Sequence, residues 1–222
     1  MKLIKIILTS LVLSFTSIAN ASLIDSNDTI LANSGNYWPW GDANNTGYQL
    51  LLSDDLLGTG NGLIDSITHF AFDNTNLGAI YDLDIYMSTT SKQANTLETT
   101  FANNHGANKT LVFSGNLTFS SMELFIDLMN VFNYDSGNLL IEYDFHSFTG
   151  VANSYDGPIF QSVDTNNDLV RVTQHNLEGS NVLTSGAIRT QLSFNPVNVP
   201  EPSTIAMLAL GLIAFAARRV KN

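Results

Sequence analysis

The chain has 222 residues, with 9 Lys and Arg against 20 Asp and Glu, a formal net charge of −11 at pH 7, and no cysteine. This acidic balance repels nucleic acid and anionic lipid, so nucleic-acid binding is excluded as a function. The lack of cysteine excludes disulfides, structural zinc held by thiolates and a thiol nucleophile.

The first 21 residues have the three parts of a secretory signal peptide. Lys2 and Lys5 supply a positive start, residues 3–18 are almost entirely apolar, and an Ala-Asn-Ala sequence at 19–21 offers small residues at a cleavage site. We therefore expect signal peptidase to cleave after Ala21 and the remaining chain to be exported.

Residues 22–195 are predicted to form one acidic domain. This body contains 19 of the acidic and four of the basic residues, a net charge of −15, because the other basic residues lie in the two terminal segments. Such a charge keeps a surface protein soluble and attracts cations.

Both tryptophans of the chain, Trp38 and Trp40, lie within one short segment at the start of this body. Exposed indole rings can stack on sugar faces, and nearby Asp42, Asn44 and Asn45 offer hydrogen-bonding groups. The alternative is that the two rings fill one end of the protein core.

Alternation of apolar and polar residues with a period of two predicts β-strands. In residues 81–88, the apolar side chains Tyr81, Leu83, Ile85 and Met87 share one face. Residues 122–128 and 139–146 repeat the pattern, and in the latter Glu142, Asp144 and His146 are predicted to lie on a solvated outer face. Further strands are predicted at 48–52, 63–72, 110–119, 169–172 and 187–194.

Turns rich in Gly, Asn and Asp separate these segments, whereas residues 92–108 show no clean period and indicate a long loop or a helical turn. Eight or so short strands in a body of this size indicate an all-β protein. We expect an antiparallel β-sandwich with jelly-roll-like packing of two sheets.

Asp164, Asn166 and Asp168 offer oxygen ligands at alternate positions, the spacing of a calcium-binding loop. An EF-hand is excluded, because Leu169 replaces the required glycine and His175 replaces the bidentate glutamate. A weak calcium site and an ordinary Asn/Asp turn remain the two interpretations.

The last 27 residues, 196–222, read as a linker followed by a membrane-associated signal. Residues 205–217 form an apolar run that ends at Arg218, Arg219 and Lys221. At about 1.5 Å per residue this run spans roughly 20 Å as a helix, short of the ~30 Å hydrocarbon core, so flanking residues must complete a membrane span. The basic end is expected to remain cytoplasmic, which anchors the C-terminus in the inner membrane.

A short motif precedes that run, formed by Val199, Pro200, Glu201, Pro202 and Ser203. The motif, the hydrophobic segment and the two arginines together resemble the PEP-CTERM sorting signal of Gram-negative bacteria. The resemblance implies that an exosortase recognises residues 200–202 and processes the protein near them during export. It also implies a transient stay at the inner membrane, followed by the cell surface or the exterior.

A second, broader resemblance covers roughly residues 37–195. This region is similar to the jelly-roll β-sandwich modules of secreted bacterial adhesins and peptidases, in the blocks 48–51, 63–67, 84–88, 111–115, 132–134, 138–142 and 189–194. The resemblance implies a β-sandwich with a binding or scaffolding role, and it carries no catalytic residue.

The sequence therefore predicts a non-enzymatic surface or matrix protein with a structural or adhesive role, without a cofactor and in contact with extracellular polysaccharide. The alternatives are a carbohydrate-binding module using Trp38 and Trp40, or an adhesin stabilised by calcium. No G-x-S-x-G or H-E-x-x-H motif occurs, and no pair of carboxylates stands out for glycoside hydrolysis.

Overall fold

The fold consists mostly of antiparallel β-strands with almost no helix, as the alternating pattern predicts. The computed structural model describes residues 22–25, 30–36, 40, 45–57, 62–73, 77–150, 159–163, 169–175, 179–183 and 187–196. The predicted signal peptide, Trp38, the calcium-spaced residues 164–168 and the C-terminal signal lie outside these ranges.

The elements run in chain order as follows, within the described residues. The strands are β1 (Ser22–Asp25), β2 (Ile30–Asn36), β3 (Asn45–Leu52), β4 (Gly62–Phe70), β5 (Ile80–Thr90), β6 (Thr110–Thr118), β7 (Glu123–Tyr134), β8 (Asn138–Thr149), β9 (Phe160–Val163), β10 (Leu169–His175), β11 (Gly179–Leu183), β12 (Ala187–Ile188) and β13 (Thr190–Pro196). One short helix, α1 (Asp54–Leu57), follows β3, and two 3-10 helices, Ala94–Thr96 and Phe101–Asn104, lie between β5 and β6.

These strands form three sheets. A six-stranded sheet has the order β11-β10-β3-β8-β5-β6, a four-stranded sheet has the order β1-β13-β4-β7, and a small sheet has the order β12-β9-β2. Every pairing between named strands is antiparallel.

The hydrophobic core lies between the six-stranded and four-stranded sheets, which makes the body a β-sandwich. Leu83 and Ile85 of β5 face this core with Ile126 of β7 and Leu192 of β13, and all four are almost fully buried. Full burial of each such side chain contributes about 1.5–3 kcal/mol. The inward faces predicted for residues 81–87 and 122–128 are confirmed except at Met122, which precedes β7 and is 38% exposed. The jelly-roll topology in particular stays a prediction.

Two local features depart from the expected pattern. The predicted strand 187–194 is divided at Arg189, because β12 pairs with β9 while β13 pairs with β4 in a different sheet. Glu142 of β8, expected on a solvated face, is only 6% exposed. The chain between β5 and β6 covers that part of the six-stranded sheet.

The turn between β7 and β8 forms where Asp, Ser and Gly predict it. Gly137 has a φ of 84°, a left-handed conformation that glycine adopts at little cost. The Tyr134 hydroxyl donates a hydrogen bond to the Gly137 carbonyl and closes the turn. Among the described residues no helix is long and apolar enough to cross a membrane.

Candidate functional site

A buried polar cluster lies on the outer face of the six-stranded sheet, beneath the connection between β5 and β6. We refer to this connection, residues 91–109, as the strap. The Glu142 cluster comprises three sheet residues and three strap residues: Gln49 of β3, Ser88 of β5, Glu142 of β8, Asn104, His105 and Lys109.

Strand register brings the sheet residues together. Gln49 and Tyr86 are the Cα partners of Glu142 on the two neighbouring strands, so these three residues form one row across β3, β8 and β5. Ser88 lies two residues further along β5, on the same face as Tyr86. The sheet thus presents a carboxylate flanked by an amide and a hydroxyl towards the strap.

Glu142 accepts three hydrogen bonds, two of them from the strap. The His105 Nε2 atom lies 2.8 Å and the Gln49 Nε2 atom 2.5 Å from Oε2, while the Lys109 Nζ atom lies 2.7 Å from Oε1. The side chains of Glu142 and His105 are 8% and 4% exposed, whereas Lys109 is 36% exposed. The carboxylate is therefore paired and mostly shielded from water.

The ionisation of Glu142 follows from this geometry. Burial by itself raises the pKa of a carboxyl, but the hydrogen bonds from His105, Lys109 and Gln49 outweigh it and lower the pKa to about 2. Glu142 is therefore a carboxylate at neutral pH, and it stabilises the cationic Lys109 above the sheet.

Ser88, His105 and Glu142 have the composition of a nucleophilic relay. The Ser88 Oγ atom lies 2.8 Å from Nδ1 of His105, whose Nε2–H donates to Glu142. Ser88 is fully buried, however, so a substrate cannot reach its hydroxyl while the strap lies in place. In this arrangement the three side chains join the strap to the sheet.

Apolar contacts and a close backbone approach complete the attachment. Leu97 and the half-buried Phe101 pack on Leu51 and Leu140, which point outward from the sheet. At Gly106 the strap passes so near the backbone of β5 that an added Cβ would overlap the carbonyl oxygen of Thr89.

Trp40 lies in the sandwich core. It is fully buried and contacts the rings of Tyr81, Phe119, Tyr143 and Phe145 at centroid distances of 5.2–5.4 Å. An indole enclosed by aromatic side chains presents no free face to a sugar, so the expectation of a stacking platform does not fit Trp40. The core position instead fits the alternative that the ring fills the core.

His69 is the second polar group in that core. The Tyr143 hydroxyl donates to Nε2 at 2.8 Å, and Nδ1–H points to the Arg189 carbonyl at 3.3 Å. Full burial lowers the pKa of His69 to about 4, against a smaller opposing effect of the bond to Arg189. His69 is therefore neutral at pH 7, with both ring nitrogens satisfied, which indicates a structural role in the core.

Asp144 and His146 continue the outer face of β8 beyond Glu142. Asp84 of β5 is the Cα partner of Asp144, and the His146 Nε2 atom lies 3.7 Å from an Asp84 oxygen. Burial, together with the negative charges of Glu142 and Asp84, raises the pKa of Asp144, while His146 opposes that rise. Within the described ranges no three His, Asp or Glu side chains are arranged to hold a metal ion.

A separate surface, the β6–β7 apolar patch, carries most of the exposed large apolar side chains of the described part. Five of seven lie within residues 111–131, and the three most exposed belong to β7: Phe125 and Met129 at 62% and Val131 at 52%. A concentration of this kind marks an interaction surface more often than a random scatter does.

The C-terminal motif was compared with known protein families. Residues 198–220 match the PEP-CTERM protein-sorting motif. The match confirms the identification made from residues 199–203, and it implies a protein that is exported, sorted at a membrane and processed by exosortase. Comparison with curated proteins yields no match.

Sequence reasoning missed the Glu142 cluster because its members are far apart in the chain. Gln49, Ser88, His105 and Glu142 come together only through strand register and the path of the strap. One local signal was available: Leu140 is an apolar residue on the face of residues 139–146 that was predicted to be solvated. Apolar residues on both faces of a strand indicate that something covers the second face.

Proposed function

We propose that the mature protein is a non-enzymatic structural or adhesive component of the cell surface or the extracellular matrix. The observation that carries the proposal is the PEP-CTERM motif at residues 198–220, immediately after a β-sandwich that ends at β13. A sorting signal directly after a folded module fits a protein whose activity depends on where the module is placed.

Two features of the body support a binding role. The β6–β7 apolar patch offers contact area for a partner, and Phe125, Met129 and Val131 are three exposed apolar side chains on one strand. The net charge of −15 in residues 22–195 favours a partner that carries cationic groups. Extracellular polysaccharide, bearing amines or bridged by cations, is the partner we propose.

The sorting part is tested by replacing Pro200, Glu201 and Pro202 together with alanine, which leaves the apolar run intact. We expect the altered protein to accumulate unprocessed in the membrane fraction, whereas the unaltered protein leaves it. Thr204→Ala is the matched control and should behave like the unaltered protein. If the unaltered protein, the triple-alanine variant and Thr204→Ala are distributed equally among the cell fractions, the proposal is contradicted.

The adhesive part is tested by sedimentation of the exported protein with isolated extracellular polymer. Phe125→Ser and Met129→Ser are expected to weaken binding several-fold, while Asn116→Ser, on exposed β6, is the control. Cleavage of the polymer by the protein would instead show an enzyme. If Phe125→Ser and Met129→Ser bind the polymer as strongly as the unaltered protein, the patch is not the binding surface.

A further inference from the structure

Within the described residues, Glu142 is the carboxylate of the six-stranded sheet that binds side chains of the strap. His105 and Lys109 both donate to Glu142, and no other side chain of the six-stranded sheet, within the described residues, accepts hydrogen bonds from two strap side chains. The remaining polar attachments come from neutral groups. Gln49 accepts from Asn104 Nδ2 at 2.8 Å and donates to the Phe101 carbonyl at 3.1 Å, and Thr89 donates twice to the Asn108 side-chain oxygen. Asn138 Nδ2 donates to the Lys92 carbonyl at 2.7 Å.

The apolar support of the strap is small compared with the sandwich core. Leu51, Leu97 and Leu140 form a separate cluster with Ala94 and Phe101 packed against it. The sandwich core, by contrast, contains 28 buried side chains among the described residues, and it lies on the other face of the six-stranded sheet. The strap can therefore separate without opening the core, since few contacts are shared between them.

We propose that the strap is an acid-released latch, in which protonation of Glu142 detaches residues 91–109 from the sheet while the sandwich stays folded. A protonated carboxyl loses its attraction for Lys109 and becomes a hydrogen-bond donor on one oxygen. Lys109 and His105 would then face a neutral group, and release uncovers Leu51, Leu140 and the polar row on the sheet.

The charges around Glu142 determine how the latch responds to pH. Lys109 and His105 on the strap are the facing cationic or protonatable groups, while Asp144 on β8 and Asp84 and Tyr86 on β5 lie on the same face of the sheet. Gln49 on β3 is neutral and donates. The pKa of Glu142 is lowered to about 2 from 4.5. The carboxylate's contribution to the stability of the attached strap is therefore fully present above pH 4.5 and is lost as the pH falls towards 2.

Amide hydrogen exchange of the full chain tests the latch, with protection corrected for the intrinsic pH dependence of exchange. Between pH 5 and pH 2.5 we expect protection of residues 91–109 to fall at least about tenfold, because a shift of one pKa unit corresponds to a factor of ten. Peptides from β4 should keep their protection over the same range. Glu142→Gln should show the open strap already at pH 7, with little further change in acid.

Glu98→Gln is the matched control, because Glu98 is also a lysine-paired acid but its partners Lys92 and Asn103 both belong to the strap. It should retain the acid transition of the unaltered protein. If Glu142→Gln does not fold, Lys109→Met provides the test, and it should move the transition to higher pH.

Three results would overturn the latch. The first is loss of protection in β4 together with the strap, and the second is an unchanged acid transition in Glu142→Gln or Lys109→Met. The third is release of the strap already above pH 5, which would assign the trigger to a group other than Glu142.

Discussion

Two buried regions lie on opposite faces of β8, and each contains a histidine. Tyr143 faces the sandwich core, where its hydroxyl donates to His69, while the preceding residue, Glu142, faces the strap and binds His105. The core keeps its histidine neutral, whereas the outer cluster contains a charged carboxylate beside Lys109.

The two regions differ in the hydrogen-bond partners of their titratable groups, the His69 imidazole and the Glu142 carboxylate. His69 has no anionic partner among its hydrogen-bond contacts, so removal from water is the larger effect and its pKa falls. Glu142 also loses water, yet three donors more than offset this loss. Burial alone therefore does not decide ionisation, and the bonding partners must be counted as well.

The largest expected effect is in the core. Trp40→Ala removes a fully buried ring that contacts several aromatic side chains, and such a truncation costs about 3–5 kcal/mol in the free energy of unfolding. Thermal unfolding should show a fall in Tm of roughly 10 °C. Phe125→Ala, at an exposed ring, should leave Tm nearly unchanged, and equal losses for the two would contradict the core position of Trp40.

The pH dependence of stability separates the two regions further. His69 is protonated in the unfolded chain below about pH 6.5 but remains neutral in the folded protein down to about pH 4. The contribution of His69 to the free energy of unfolding is therefore fully present above pH 6.5. It falls as the pH drops towards 4, by about 2 kcal/mol between pH 7 and pH 5. Urea unfolding at the two pH values measures this loss.

His69→Gln is the control for that loss, because an amide does not titrate while its NH₂ group can still donate to the Arg189 carbonyl. The variant should lose much less stability between pH 7 and pH 5. A variant with the same pH dependence as the unaltered protein would show that another group is responsible.

The smallest expected effect on global stability concerns the strap. Gly106→Ala forces a methyl group against the Thr89 carbonyl, so residues 91–109 should shift away from β5 and exchange their amides faster. Tm should fall little, because the sandwich core is untouched. Ala107→Ser, at the next and exposed position, should leave both measurements unaltered, and a large fall in Tm for Gly106→Ala would tie the strap to the core.

The sequence was most informative where one physical rule acts alone. Tyr81, Leu83, Ile85 and Met87 are all buried, because alternation on a strand with one covered face leaves no other arrangement for apolar side chains. The PEP-CTERM motif was identified in the same way, since sorting signals are read as linear sequence and do not depend on the fold.

The sequence was least informative where distant segments meet. Glu142 was assigned to a solvated face because its own strand predicts that, and only the path of the strap makes the position buried. Trp40 could have been exposed at the rim of the sandwich or buried in its core, because the local sequence does not show which way the ring points. Both outcomes depend on long-range packing, which a local period does not encode.

The position of β13 has a mechanical consequence. This strand is the last described element before the sorting motif, and it pairs with β1 on one side and β4 on the other. A pull on a tethered C-terminus would therefore load two hydrogen-bonded ladders at once, and β13 would detach only when both give way. Under tension, the lifetime of the attached sandwich should depend on how fast these two ladders break, more than on the equilibrium stability of the whole body.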